Sequence, residues 1–245
     1  MDNPYASPAT MANSAYDPAL PAYKPADTLT RWARLLVGAS AAMFVASLFE
    51  SLYKMGLIDQ LRANGLDVDD FYLAIGTAST AFLLLLVLAL LSAYVVSGCW
   101  IYRMAHNARV LAGGRQLRST PLGAVGWYFV PLFNLWKPYQ ALKDVWLASH
   151  PGPADRNTPG ALLPTWWTLW LISSIIGNAS GRAAWKAETL AQEYAVLVIG
   201  IAEAVVTVAA SIAFIRLIGR LQAAQVELKA ARDADQTSST PPGPT

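Results

Sequence analysis

An all-α bundle that crosses a membrane four times is the fold this sequence predicts, and three observations predict it. The first is composition: 55% of the 245 residues are hydrophobic and 14% are charged, against about a quarter charged in an ordinary soluble domain. The second is how the apolar residues are grouped. Leu35 to Phe49, Phe71 to Val96, Leu162 to Ile176 and Tyr194 to Ile215 are nearly free of charge, and with their flanks they reach the roughly 20 residues that a helix needs to cross a bilayer. The third is the placement of the basic residues. Lys24, Arg31 and Arg34 precede the first block. Arg103, Arg109, Arg115, Arg118, Lys137, Lys143 and Arg156 lie between the second and third, and Arg216, Arg220, Lys229 and Arg232 follow the fourth. These are fourteen of the 18 basic residues. The positive-inside rule then puts both termini and the central loop in the cytoplasm, as an even number of spans requires. A bacterial inner membrane is the expected home.

The elements follow in order. Residues 1–28 carry five prolines among alanines and tyrosines, so a disordered cytoplasmic arm is expected. The arm has neither the basic start nor the apolar core of a signal peptide, and Tyr5, Tyr16 and Tyr23 make it a possible docking peptide. A membrane domain is expected over 29–222. Its first span, about 31–53, has Thr28 or Thr30 as a cap, Trp32 and Arg34 as anchors, and Glu50 near its outer end, within reach of Arg62. A polar, acidic loop from Lys54 to Asp70 turns at Asn64–Gly65. The second span, about 71–102, is followed by more apolar helix than a bilayer needs, up to a stop at Gly113–Gly114. The third, about 162–183, opens on Trp166, Trp167 and Trp170 and carries the small pair Gly177 and Gly181. The fourth, about 194–218, contains Glu203. A polar cytoplasmic tail, 223–245, ends in the disordered TPPGPT.

Between the second and third spans lies the densest stretch, 121–149, reading PLGAVGWYFVPLFNLWKPYQALKDVWLAS. Pro131 and Pro138 forbid one continuous helix. Downstream, Tyr139, Leu142 and Trp146 share one face, so an amphipathic helix from Leu135 to Ser149 is expected, with Asn134 as its cap and Pro138 in its first turn. Trp and Tyr favour the headgroup level. The segment therefore reads as an interfacial helix behind an apolar lead-in, Gly126 to Phe133, or else as one packed against the bundle.

The combination of Trp100, Tyr102, Arg103 and Asn107 (WxYRxxxN), GWYFVPLFNLWKPYQALKDVW from Gly126 to Trp146, and the Trp166–Trp167 pair resembles one bacterial family. This is domain-of-unknown-function family 4328, a group of multi-pass membrane proteins. The likeness spans roughly 30–220, and its NLWxPYQ block, Asn134 to Gln140, is specific. Methionine and glutamate are usual in the family where this chain has Leu142 and Asp144, changes that keep apolarity and charge. The resemblance implies a four-helix membrane domain and brings no activity or catalytic residue.

Two polar sets are candidates for function. One is a cytoplasmic aromatic and basic face of Arg103, His106, Asn107, Trp127, Asn134, Trp136, Lys137, Tyr139, Gln140, Lys143, Trp166 and Trp167. Cations beside tryptophans at that depth suit lipid headgroups, a phosphate-bearing ligand or a protein partner. The other is an outer polar cluster of Glu50, Asn178, Arg182 and Glu203. There Glu203 lies deep in its span, either glued to Asn178 or Arg182 or serving a transport path. No catalytic motif occurs: the two histidines, His106 and His150, stand in no metal spacing, and a Gly-rich phosphate loop and GxSxG are absent. Cys99 is the single cysteine, which excludes an intramolecular disulfide and a cysteine zinc site. The expectation is a non-enzymatic membrane component without cofactor or nucleic-acid partner, binding lipid or a protein through its cytoplasmic face. A small transporter or channel component using Glu203 is the alternative.

Overall fold

A computed structural model describes residues 22–112, 117–150 and 160–238. Among these residues every regular element is helical: α1 (Asp27–Ala63), α2 (Val68–Leu111), α3 (Pro121–Gly126), α4 (Lys137–Ser149), α5 (Leu162–Ala184) and α6 (Leu190–Ser238). Two 3-10 turns, Trp127–Phe129 and Phe133–Leu135, link α3 to α4.

α1, α2 and α6 are long and apolar enough to cross a membrane. α5 has 23 residues, about 34 Å of helix, but three tryptophans, three serines and Asn178 dilute its apolar run, and it does not join those three.

The helices outrun the expected spans. α1 continues through Lys54 to Ala63, where a polar loop is expected. The extension carries ion pairs one turn apart, Glu50–Lys54 at 2.8 Å and Asp59–Arg62 at 3.8 Å, of the kind that supports a helix. The turn itself is short. Gly65 takes the left-handed conformation, φ 72°, and Asp67 opens α2 with a capping box that it shares with Asp70. Thr28 and Thr30 do not cap α1, because that helix begins at Asp27 with Ala26 at the cap position. α2 breaks its regularity at Gly76, φ 52° and ψ −151°, a conformation that only glycine adopts readily. α6 runs on to Ser238, through the first part of the segment expected as a tail. Gly113–Gly114, residues 1–21 and TPPGPT lie outside the described residues.

α1 lies along both α2 and α6, and α5 lies along α6. The α5–α6 seam is antiparallel and regular. Trp166 stacks on Phe214 at 4.8 Å, the Ser173 and Thr207 hydroxyls are 2.6 Å apart, and Gly177 faces Glu203. These pairs are spaced by seven and then four residues on each helix, so one helical face is reused. α2 and α5, by contrast, do not pack directly along their length.

The buried core divides in two. The larger part sits at the end of the bundle where α1 begins and α2 ends; it joins Trp100, Met104, Ala141, Leu142, Trp146, Trp166, Phe214 and Leu217. The smaller gathers Ile58, Leu61, Phe71 and Leu190 at the opposite end. We call these the near and far ends.

Candidate functional site

The near end is tied together by side chains spent on one another and on the main chain. Trp100 Nε1 donates to Thr30 Oγ1 at 3.1 Å, and Thr30 donates to Gln222 Oε1 at 3.1 Å. Gln222 Nε2 donates to Asp27 Oδ1 at 3.2 Å. One relay thus fastens α1, α2 and α6. A second centres on Gln225, fully buried, whose Nε2 donates to Met104 O at 3.0 Å and Ser149 Oγ at 3.1 Å. It binds α6 to α2 and α4. Buried polar groups need partners, so this pattern fixes how the helices meet.

Arg103, His106 and Asn107 occupy i, i+3 and i+4 of α2, on one face. Each is engaged by the chain itself, Arg103 through one of its donors. They hold residues 22–26, which the sequence reading gave to the arm, against the helix. Asn107 has 0% exposure. Its Oδ1 accepts from Lys24 N at 3.0 Å and its Nδ2 donates to Lys24 O at 2.9 Å. Arg103 donates to Pro25 O at 2.8 Å, and His106 Nε2 is 3.0 Å from Ala22 O. All four bonds go to main chain. The resulting strap is also packed: Ala26 is buried, Lys229 lies 6.0 Å over the Tyr23 ring, and burial together with the Asp27 carboxylate raises the Tyr23 hydroxyl pKa.

The stretch 121–149 caps this end. Thr120 caps α3 by accepting from Gly123 N at 2.9 Å. α4 starts at Lys137, with Trp136 rather than Asn134 at its cap position and no side-chain cap. Its apolar face, with Leu142, Val145 and Trp146 buried, turns onto α2 and α6. That face is core and not a surface free to lie on lipid, so of the two sequence readings the packed one describes α4. The exposed apolar part is the bend before it, where Phe129 is 81% and Leu132 71% exposed. Leu132 has φ 65° and ψ −49°, and Phe133 N donates to Pro131 O at 2.8 Å. This is a γ-turn of the rare left-handed-φ type. A non-glycine residue there is strained.

The aromatic residues of the expected face form a connected wall. Lys137 lies 5.6 Å over Trp127, whose ring is 5.6 Å from Phe133, and Phe133 is 5.4 Å from Trp136. Trp167 donates to Leu135 O at 3.1 Å and touches the Tyr139 ring at 6.4 Å. Lys143 is exposed and Gln140 half-buried, and among the described residues neither makes a side-chain bond.

The outer polar cluster is not assembled by hydrogen bonds. Glu50 pairs with Lys54 at 2.8 Å, and Asn178 bonds Ser174 O at 2.7 Å in its own helix. Among the described residues Arg182 and Glu203 make no hydrogen bond or ion pair. Glu203 packs against Gly177, where an added Cβ would stand 2.6 Å from Oε1. Asn134, Asn178 and Arg182 do share a shallow groove of about 480 Å³ along α5.

Sequence reasoning missed one more feature. Between α2 and α5 lies a half-open apolar cleft of about 980 Å³, backed by Thr207 and Phe214 of α6 and roofed by Val125 and Tyr128. Leu91, Val95 and Phe129 stay exposed at its rim. Tyr128 packs its ring edge to face on Trp170 at 5.6 Å. Its hydroxyl is buried without a hydrogen-bond partner among the described residues, and burial pushes its pKa well above the usual range. No set of three His, Cys, Asp or Glu side chains among the described residues could hold a metal.

Residues 65–223 match the family model described as a domain of unknown function, DUF4328. No curated protein and no solved structure matches the chain.

Proposed function

The chain belongs to the DUF4328 family, and from that premise we propose that it is a non-enzymatic bacterial inner-membrane protein that holds lipid in the cleft between α2 and α5. Four spans, with α5 as the third, carry the strap, α4 and the end of α6 to the cytoplasmic side. This reading is supported by the cationic flanks at the near end and by the long antiparallel seam of α5 with α6. The observation that carries the function is the cleft: large, apolar and open toward the region lipid would occupy. Its size falls within the range of small-molecule sites. The exposed Phe129–Leu132 bend would seat at the headgroup level beside Lys137 and Lys143, an aromatic and basic face for lipid or a protein partner.

The test is mass spectrometry of protein taken from its own membrane in native-lipid discs, wild type against Gly98→Phe. Gly98 lines the cleft, and a Cβ there would meet Val125 Cγ1 at an ordinary 3.6 Å, so the position accepts a side chain and a phenyl ring is the probe that takes up cleft volume. Wild type should retain lipid through delipidation and the filled variant should not. Equal retention by both would remove the reading.

A second reading, a transport component, is favoured by Glu203, a carboxylate in a span with no partner among the described residues. Liposome flux that is unchanged in Glu203→Gln, or absent in wild type, would eliminate it.

A further inference from the structure

We propose that the lipid in this cleft carries an anionic, phosphate-bearing headgroup bound by Arg103, with residues 22–26 orienting that guanidinium. The inference rests on the cleft reading above and assigns the ligand's class.

Charge is the first argument. Among the described residues lining the cleft, Arg103 is the only charged one, and it stands at the near mouth. A guanidinium has five N–H donors. One is used on Pro25 O at 2.8 Å, and among the described residues no carboxylate pairs with it. An apolar cavity ending in an uncompensated cation suits an amphiphile with apolar chains and a negative head. A phosphate can take the free donors two at a time, a fit that an uncharged head lacks.

Length is the second. The cleft follows α2 from Leu90 to Arg103, about 20 Å of helix rise. One leaflet contributes about 15 Å of a 30 Å hydrocarbon core, so the cleft covers one leaflet's chains and reaches the headgroup level. In the proposed orientation this is the cytoplasmic leaflet. The Tyr128 ring lines the same space and adds aromatic surface for the chains.

The strap is the third. Arg103 is anchored to Pro25 O in a segment that Asn107 also holds, through both main-chain groups of Lys24. The strap therefore does for the cation what hydrogen-bonded neighbours do for a preorganised site.

The experiment reconstitutes purified full-length protein in discs of phosphatidylglycerol mixed equally with phosphatidylcholine or with diacylglycerol, and counts retained lipids by native mass spectrometry. Wild type should retain one phosphatidylglycerol with about tenfold preference, the scale of one charge-assisted bond. Arg103→Gln keeps a donor for Pro25 O, so it should hold lipid with the preference gone, and Arg103→Lys should keep most of it. Preference unchanged in Arg103→Gln, with Gly98→Phe empty, overturns the headgroup assignment and leaves the cleft reading standing. Lipid retained equally by Gly98→Phe overturns the cleft reading itself. Displacement of the lipid by soluble glycerol phosphate would make Arg103 a free-anion site and overturn the lipid assignment.

Discussion

The near and far ends of this bundle are built from the same four long helices, yet they are held by different means. At the near end six helices converge, and aromatic rings from α2, α5 and α6 interlock. Two buried hydrogen-bond relays then fix the helix registers. At the far end the core shrinks to a few residues. α2 buries no side chain between Phe71 and Ala93, and the remaining polar contacts, such as the Tyr72 hydroxyl on Glu193, sit around a small cluster. Covering surface differs accordingly. Protein covers the near end, whereas the far half of α2 offers leucines outward on all sides, which is economical only where lipid is the solvent. A rigid near end beside a loosely walled middle is what opens a cleft between α2 and α5.

The largest expected effect tests that contrast directly. Trp100 is fully buried, donates to Thr30 and meets Phe214 edge to face at 6.0 Å. Trp100→Ala should cost about 3–5 kcal/mol, since ring burial is lost and a void is left among rigid neighbours. Phe71→Ala, equally buried but in the small cluster, should cost less, at or below the lower end of that range, about 3 kcal/mol, because the far end can close around the void. Unfolding in detergent measures both. Equal losses would show that the two ends are not differently built.

Next in size is the strap. Asn107→Ala removes two bonds to Lys24, each worth about 1 kcal/mol net, so a loss of about 2 kcal/mol is expected. Faster protease cutting before Asp27 and rapid hydrogen exchange at the Lys24 amide should accompany it. Tyr72→Phe, its far-end counterpart, deletes a single bond and should cost about 1 kcal/mol or less without exposing any segment. Cutting before Asp27 at the wild-type rate in Asn107→Ala would mean that the strap is held by packing alone.

How much of this was legible in the sequence follows from the same contrast. Apolar blocks announce helices, so the four long helices and their order were readable from period and length. The WxYRxxxN pattern marked the right residues, Trp100, Arg103 and Asn107, for a different use: their partners are Thr30 and the main chain of residues 22–26, some 70 to 80 positions away. A pattern within one helix carries no trace of such partners. The continuation of α6 was missed although the sequence carried a signal for it: Leu221, Ala224 and Gln225 extend the buried face of Leu217 and Ile218 past the expected end at 218. The cleft was not legible, for it arises from two helices failing to touch. No residue type signals that absence.

The smallest prediction concerns Gly177 and Gly181, one small-residue pair with two different surroundings. A Cβ at Gly181 meets nothing within 4 Å, whereas at Gly177 it would stand 2.6 Å from Glu203 Oε1 and 3.2 Å from Cδ. In open space, glycine to alanine in a helix gains up to about 1 kcal/mol from propensity. Gly181→Ala should therefore raise the melting temperature slightly. Gly177→Ala should gain less or nothing, because the carboxylate has to swing aside, and the double variant with Glu203→Ala should recover the gain through non-additivity between touching residues. If Gly177→Ala stabilises as much as Gly181→Ala, then Glu203 does not rest on that glycine. The α5–α6 seam would then be as loose at this level as the rest of the far half.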